Sequence, residues 1–311
     1  MNLKSGVFAL ALATTMALSA CQSEEQQAAA KANAGVQAAV AASAESPAAA
    51  VAVGARNLRE NNLKALVEAS VPPEYLAQLH GKWTAKLNEA PITDAKRAEF
   101  KADMDKLTAV DAEKNLWQEM APKLAKLKAE SAAQMPMVVG IGRGVLVSAV
   151  QQNEDLNEPQ KQQAVKAINA FATWAESAQF TDPVLAQKAI GVVCQTAREL
   201  KFASLDEVRA LTFDQALAKG DIAFKGLKQV FELYGLSIDQ TLDSVKAVLV
   251  SETGDQAKVK VSYTLLATPL EFESEMVRYQ GRWYGADGLR KMQKEAAESA
   301  VAKAVAPAAK G

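Results

Sequence analysis

The sequence predicts an α+β fold that is mainly α, with a helical body followed by a small C-terminal antiparallel β-meander packed on helices. Up to about residue 235, apolar residues recur every three or four positions, which is the spacing of one helix face. After residue 244 they alternate with polar residues, which is typical of half-buried strands. One face of such a sheet is apolar, so we expect the preceding helices to cover it.

Changes in composition divide the chain into five segments. Residues 1–20 have the features of a signal peptide. Residues 21–53 are rich in Ala and contain no aromatic residue, which predicts a flexible tether because little apolar surface is left to offset the entropy of ordering. Residues 54–200 form a helical region, and residues 201–289 form a helix–helix–antiparallel sheet region. Residues 290–311 form an Ala/Lys-rich tail that we expect to fray.

The N-terminal apolar run ends at a cysteine. Residues 6–18 are mainly apolar but too short to span a bilayer, which needs about 20 apolar residues. The stretch LSAC at residues 18–21 resembles the lipobox of bacterial lipoproteins. The resemblance implies that Cys21 carries acyl chains that anchor the mature chain in the membrane. Because Gln22 rather than Asp follows, it also implies the outer membrane, with the body facing the periplasm. An ordinary secreted protein is the alternative.

Helix-start signals and glycines locate the helices. The predicted starts or caps are Pro73, Thr93 or Asp94, Asp111, Asp182 with Pro183, and Ser204 with Glu207. A further helix from about Ile222 to Tyr234 ends at Gly235. The apolar run PMVVGIGRGVLVSAV at residues 136–150 predicts a buried helix, in which Gly140 and Gly144 let another helix approach closely. A mobile hinge is the alternative for this run, which lacks the glycine spacing of a dinucleotide-binding loop.

Turn residues separate four strands after residue 244. The turns are predicted at Gly254-Asp255, Thr268-Pro269 and Gln280-Gly281. Glu271, Glu273 and Glu275 alternate along the third strand. With a hairpin centred on Thr268-Pro269, Lys260 lies diagonal to Glu275, so we interpret these glutamates as a solvated face with cross-strand charge pairs and not as a metal site.

Catalytic patterns are missing from the sequence. His80 is the only histidine, which leaves a single candidate base and no multi-histidine metal site. Cys194 lies in an apolar helical stretch, where a buried, unreactive thiol is the expected state. Neither G-x-S-x-G nor S-x-x-K occurs. We therefore expect no enzymatic activity, no cofactor and no metal.

The net charge and the number of cysteines argue against a nucleic-acid partner and an intramolecular disulfide. The formal net charge of −1 argues against a nucleic-acid partner, which needs a basic face. The chain has two cysteines. With Cys21 lipidated, Cys194 has no partner for an intramolecular disulfide.

The C-terminal third carries a weaker resemblance. From Phe213 to Leu289 the predicted order is two helices and then strands that end in VRYQGRWYGADGL. This resembles the C-terminal part of small cone-shaped, NTF2-like domains of bacterial lipoproteins, and the whole chain resembles uncharacterised envelope lipoproteins of Gram-negative bacteria. The resemblance implies a curved sheet closed by a Trp-containing strand, and it carries no activity.

Two functional hypotheses remain. The first is a non-catalytic envelope accessory protein that binds another envelope protein. The second is a carrier of an apolar small molecule or lipid, held in a pocket between the C-terminal sheet and its helices. Tyr263, Phe272, Met276 and Trp283 are the candidate lining of that pocket, although filling the core is the plainer role for all four.

Overall fold

The computed structural model describes residues 24–131, 134–154 and 156–305. The predicted fold class is confirmed, because a series of helices precedes a small antiparallel sheet near the C-terminus. The predicted signal peptide, Cys21 and residues 306–311 lie outside the described residues.

Helices make up most of the described chain. Their bounds are α1 Glu24–Glu45, α2 Pro47–Arg59, α3 Leu63–Ser70, α4 Pro73–Leu87, α5 Asp94–Thr108, α6 Ala112–Ser131, α7 Met135–Gln152, α8 Glu158–Ser177, α9 Pro183–Leu200, α10 Leu205–Ala210, α11 Phe213–Leu233, α12 Ile238–Asp243 and α13 Ala286–Val305. The four strands are β1 Lys246–Thr253, β2 Gln256–Leu265, β3 Thr268–Tyr279 and β4 Arg282–Gly285.

The predicted tether is wrong for most of its length. Residues 24–53 form α1 and the first half of α2, and both helices pack against α3. Ala39 and Val53 are buried there with Ala65 and Ala69. Alanine buries little surface per residue, but its small side chain allows helix axes to approach closely, so an alanine-rich segment contributes here to the core.

α4 begins at Pro73 and α6 begins directly after Asp111, as predicted, and three other predicted helix starts are confirmed by capping bonds. Thr93 Oγ1 accepts a hydrogen bond from the Lys96 N–H, and Asp182 Oδ1 accepts from two N–H groups in the first turn of α9. Ser204 Oγ accepts from the Glu207 N–H, but the Glu207 carboxylate accepts from the Ala203 N–H instead of closing the box on Ser204. Gly235 follows α11 with φ +86°, a conformation that glycine adopts without steric cost.

Three features of the helices differ from expectation. Pro122, a residue type that ordinarily interrupts a helix, lies inside α6, which continues through it. The helix predicted to begin near Ile222 begins at Phe213, where Thr212 and Gln215 form a capping box. Residues 290–305 of the predicted fraying tail belong to α13, which packs against β3 and β4 and forms an ion pair from Glu295 to Lys82 (2.6 Å).

The sheet is the predicted meander, with strand order β1-β2-β3-β4. The second turn lies at Leu266-Ala267 and not at Thr268-Pro269, which belongs to β3. This shift in register places Lys260 opposite Glu273, and its Nζ bonds Glu271 Oε2 at 2.8 Å instead of reaching Glu275. The glutamates are exposed, as predicted for a solvated face.

The other face of the sheet is covered by α2. Ala257, Val259 and Val261 of β2 are buried together with Met276 and Trp283, and alanines and Val51 from α2 pack onto them. Next to this cluster, Leu236, Leu265 and Leu270 are buried against Trp174 of α8 and Phe231 of α11. The helices before the sheet therefore cover its apolar face.

Candidate functional site

The four residues predicted to line a pocket do not line one cavity in the described structure. Met276 and Trp283 are buried in the core beneath α2. Tyr263 packs beside the leucine cluster, and Phe272 is 42% exposed, with its ring 6.4 Å from that of Tyr263. All four lie on the same face of the sheet, as the alternation predicted, but they are divided between core and surface.

A row of apolar side chains on α7 is exposed instead. Met137, Val138, Ile141 and Val145 are 61, 57, 61 and 63% exposed, and we call these four residues the α7 stripe. Their spacing places them on one side of the helix. Val139, Val147 and Val150 are half-buried, as expected for the side of α7 that packs against α8.

The predicted helix at residues 136–150 is therefore confirmed, but its predicted burial is wrong. A sequence that is apolar around the helix is typical of a buried helix. Here α8 covers one side, and the α7 stripe remains open. Large apolar side chains that are exposed side by side mark interaction surfaces in soluble proteins.

Glycines on α7 leave open space beside the stripe. An added Cβ at Gly140, Gly142 or Gly144 would meet no atom within 4 Å. In a helix interior, each glycine costs about 1 kcal/mol relative to alanine. No described contact uses the space that these glycines leave.

The segment that carries the stripe is richer in basic than in acidic residues. From residue 121 to residue 152 the chain has four basic residues, Lys123, Lys126, Lys128 and Arg143, and one acidic residue, Glu130. Arg143 forms no ion pair within the described ranges and is the only charged residue of α7. The segment is thus both apolar and positively charged.

The described part of the α6–α7 region contains no single helix that could span a membrane. Among the described residues, no one helix is long and apolar enough to cross a membrane, and α6 with α7 meets that requirement only as a pair bent by 82°.

A second concave feature lies where helices meet the sheet. A cleft of about 850 Å³ opens between α8, the end of α11 and the β2–β3 turn. Its walls include Lys166, Asn169, Thr173 and Trp174 from α8, Leu233 and Tyr234 at the end of α11, and Leu266 and Ala267 from the turn. The sequence analysis missed this cleft because its residues come from four separate stretches of the chain.

Trp174 is fixed in the wall of the cleft. Its indole N–H donates to the Tyr234 carbonyl oxygen at 2.7 Å, and its ring meets the rings of Phe180 and Phe231 edge-on at 5.5 and 6.2 Å. The pKa of the Tyr234 hydroxyl is raised by burial and by the negative charge of Asp182. An apolar ligand would therefore meet a rigid aromatic surface here.

The reactive side chains that the sequence offered are far from a catalytic arrangement. His80 is half-exposed, with its Nε2 4.0 Å from Asp214 Oδ1 and its ring against Phe213. Cys194 is buried as predicted, and burial raises the pKa of its thiol, which lowers its reactivity at neutral pH. Within the described ranges, no three His, Cys, Asp or Glu side chains are grouped to hold a metal ion.

Comparisons of the chain with models of protein families, with curated proteins and with solved structures give no match. The α7 stripe and the cleft are therefore the features of the molecule that bear on its function.

Proposed function

We propose that this chain is a non-enzymatic accessory protein of the bacterial envelope that binds another envelope protein. In this proposal, acyl chains on Cys21 hold it at the outer membrane, and its body faces the periplasm. The observation that supports a binding role best is the α7 stripe, four large apolar side chains that are each more than half exposed. The lipobox-like stretch at residues 18–21 supports the location.

The features of α7 favour one kind of partner, an apolar helix. Gly140 and Gly144 lie four residues apart beside the stripe, and small residues at this spacing allow a second helix to approach closely. Arg143 lies on the opposite side of α7 and is not part of this surface.

The same features disfavour a lipid surface as the occupant. A lipid surface would attract the basic side chains, but it needs no glycine, and the glycines weaken an exposed helix. We therefore assign the stripe to a protein helix and treat lipid as an outcome of the test.

The test uses a photoreactive amino acid placed at Ile141 in living cells, with Val248 on β1 as the matched control. Both side chains are apolar and 61% exposed, so they differ in location and not in accessibility. We expect irradiation to give one discrete protein adduct from position 141 and none of that mass from position 248. The adduct should disappear in the presence of the added substitution Val145→Asp.

Three results would contradict the proposal. The first is an adduct of lipid mass alone at position 141. The second is an adduct between two copies of this chain. The third is the same set of adducts from both positions, which would indicate collisions and not a docking surface.

A further inference from the structure

We propose that the cleft between α8 and the β2–β3 turn binds a small amphiphilic carboxylate, a function that goes beyond the proposed docking of a protein on α7. The cleft has a volume of about 850 Å³. Small-molecule sites in proteins typically measure roughly 300–1,000 Å³. The cleft therefore has room for a ligand with an extended apolar body.

The charge of the cleft favours an anion. None of its lining residues is Asp or Glu, although the chain has 36 acidic residues. Lys166 lies in the wall and has no ion-pair partner within the described part of the chain. Glu271, which lines an adjoining groove with Lys166, is paired with Lys260. An ammonium group without a counterion attracts a carboxylate.

Asn169 adds a second donor one helical turn from Lys166. Its side-chain amide forms no hydrogen bond within the described ranges, so its N–H groups are available to an acceptor in the cleft, while its buried Oδ1 is left without a donor. An N–H donor and an ammonium group on one side of α8 form a pair that a carboxylate can bridge.

The rest of the cleft suits an apolar body. Trp174 uses its only donor on the Tyr234 carbonyl, so the remaining surface of its ring is apolar. Leu185 and Leu233 continue this apolar wall. The ligand is thus expected to place its acid group at the Lys166 end and its chain against Trp174.

The turn at the rim of the cleft carries unusual residues. Leu266 and Ala267 have φ angles of 50° and 62°, in the left-handed region that glycine and asparagine occupy most readily. A two-residue hairpin turn requires this conformation and usually carries Asn-Gly, so the hairpin itself accounts for the angles. What is unusual is that Leu and Ala occupy the turn, and both border the cleft.

The test measures the binding of dodecanoate and of dodecanol by isothermal titration calorimetry. The protein is the chain from residue 21 with Cys21→Ser, which contains every described residue. The two probes share an apolar chain and differ in the acid group. We expect dodecanoate to bind at one site and dodecanol to bind more weakly. Lys166→Gln should weaken dodecanoate binding by about twofold to fivefold, the usual range for a partly exposed charge pair, and leave dodecanol unchanged.

Two further variants complete the design. Lys294→Gln removes an exposed lysine from α13, away from the cleft, and should leave dodecanoate binding unchanged. Thr173→Trp fills the cleft from the exposed side of α8 and should abolish binding of both probes.

Three results would overturn the proposal: no saturable binding of dodecanoate, equal dodecanoate affinity in Lys166→Gln and the parent chain, or binding that persists in Thr173→Trp. Ile141→Asp should not affect any of these values, so the proposal for the cleft and the one for α7 fail separately.

Discussion

Arg282 joins three parts of the fold at a single side chain. Its guanidinium donates hydrogen bonds to Ser43 Oγ of α1 (3.1 Å) and to the carbonyl oxygens of Glu68 and Ala69 in α3 (2.6 and 3.1 Å). It also lies 5.2 Å from the centre of the Tyr284 ring. These contacts fasten β4 to the N-terminal helices that were predicted to be a tether.

We expect Arg282→Met to lower the free energy of unfolding by about 2–3 kcal/mol, because hydrogen bonds to a charged group contribute about 1.5–3 kcal/mol and the three acceptors lose their donor. Urea unfolding measures this change. Arg290→Met, on the exposed surface of α13, is the control and should change the value by less than about 0.5 kcal/mol. Equal unfolding midpoints for the two variants would contradict this role of Arg282.

The ion pair between Glu113 and Arg198 joins α6 to α9 and gives a pH dependence. The two terminal nitrogens of the Arg198 guanidinium donate hydrogen bonds to the two oxygens of the Glu113 carboxylate, with N···O distances of 2.5 and 2.9 Å. Arg198 lowers the pKa of Glu113 from its ordinary value near 4.5 to about 2. Because the pKa is lower in the folded state, the pair stabilises the fold above pH 4.5, and this contribution is lost as the pH falls towards 2.

We therefore expect Glu113→Gln to destabilise the chain at pH 7 by less than about 1 kcal/mol, since the Glu113 side chain is more than one third exposed to water. The difference from the parent chain should shrink as the pH is lowered from 4.5 towards 2. Urea unfolding at pH 7 and pH 3 measures both values. If Glu113→Gln and the parent chain differed in free energy of unfolding by the same amount at pH 7 and pH 3, the charge of the Glu113 carboxylate would not be the cause of the destabilisation.

At the scale of the elements, the sequence predicts most helix starts and strands because the residues that indicate them are close together in the chain. Thr93 and Asp182 cap helices through bonds that span two or three residues. The register of the second hairpin is different. Proline ordinarily interrupts a strand, which is why Thr268-Pro269 was predicted as a turn. Pro269 lies in the part of β3 that does not pair with β4, so its missing N–H costs no hydrogen bond between these two strands.

The exposure of α7 could not be predicted in the same way. Its composition indicates an apolar environment, and whether that environment is the chain's own core or a partner depends on which elements surround it. Only the Gly140–Gly144 spacing pointed to close approach by another helix, and within the described chain no such approach to these glycines occurs.

The glycines of α7 give a prediction that separates a helix partner from a lipid surface. Gly144→Ala should stabilise the isolated chain by about 0.5–1 kcal/mol, because the added methyl group meets no atom and alanine favours the helix. It should also reduce the protein adduct formed at position 141, because the methyl group keeps a partner helix away. Gly81→Ala in α4 is the control, because an added Cβ there also meets no atom within 4 Å but residue 81 lies outside α7, and it should keep the adduct. An undiminished adduct in Gly144→Ala would contradict close helix packing.

At the scale of the whole molecule, the position of α1 limits how far an anchor at Cys21 would hold the folded chain from the membrane. α1 begins at Glu24, three residues after Cys21. Three extended residues span about 10 Å, so a lipidated chain would hold its first helix close to the membrane surface.

The anchor itself is tested by Cys21→Ser. We expect this variant to leave the membrane pellet for the soluble fraction after a carbonate wash, because two or three acyl chains are what make such anchoring stable. The control is Cys194→Ser, which changes a buried thiol and should stay with the membrane. A Cys21→Ser variant that remains in the washed pellet would contradict lipid anchoring.

The candidate sites show where reasoning from the sequence ends. Tyr263, Phe272, Met276 and Trp283 were chosen correctly as one face of the sheet, but whether that face holds a cavity depends on the helices that cover it. The cleft draws residues from α8, α11 and a turn, and no local pattern connects them. Alternation assigns a residue to a face, and only the packing of distant elements decides which faces stay open.

The most direct measurement compares the native size of the protein in mild-detergent extracts of membranes for three forms: the parent chain, Ile141→Asp and Val248→Asp. Both substitutions add one charge at positions that are 61% exposed, so circular dichroism should find all three folded. We predict that the parent chain and Val248→Asp migrate in a complex larger than the 33.1 kDa chain, and that Ile141→Asp migrates as the free chain. The same size for all three forms would contradict docking of a partner on α7.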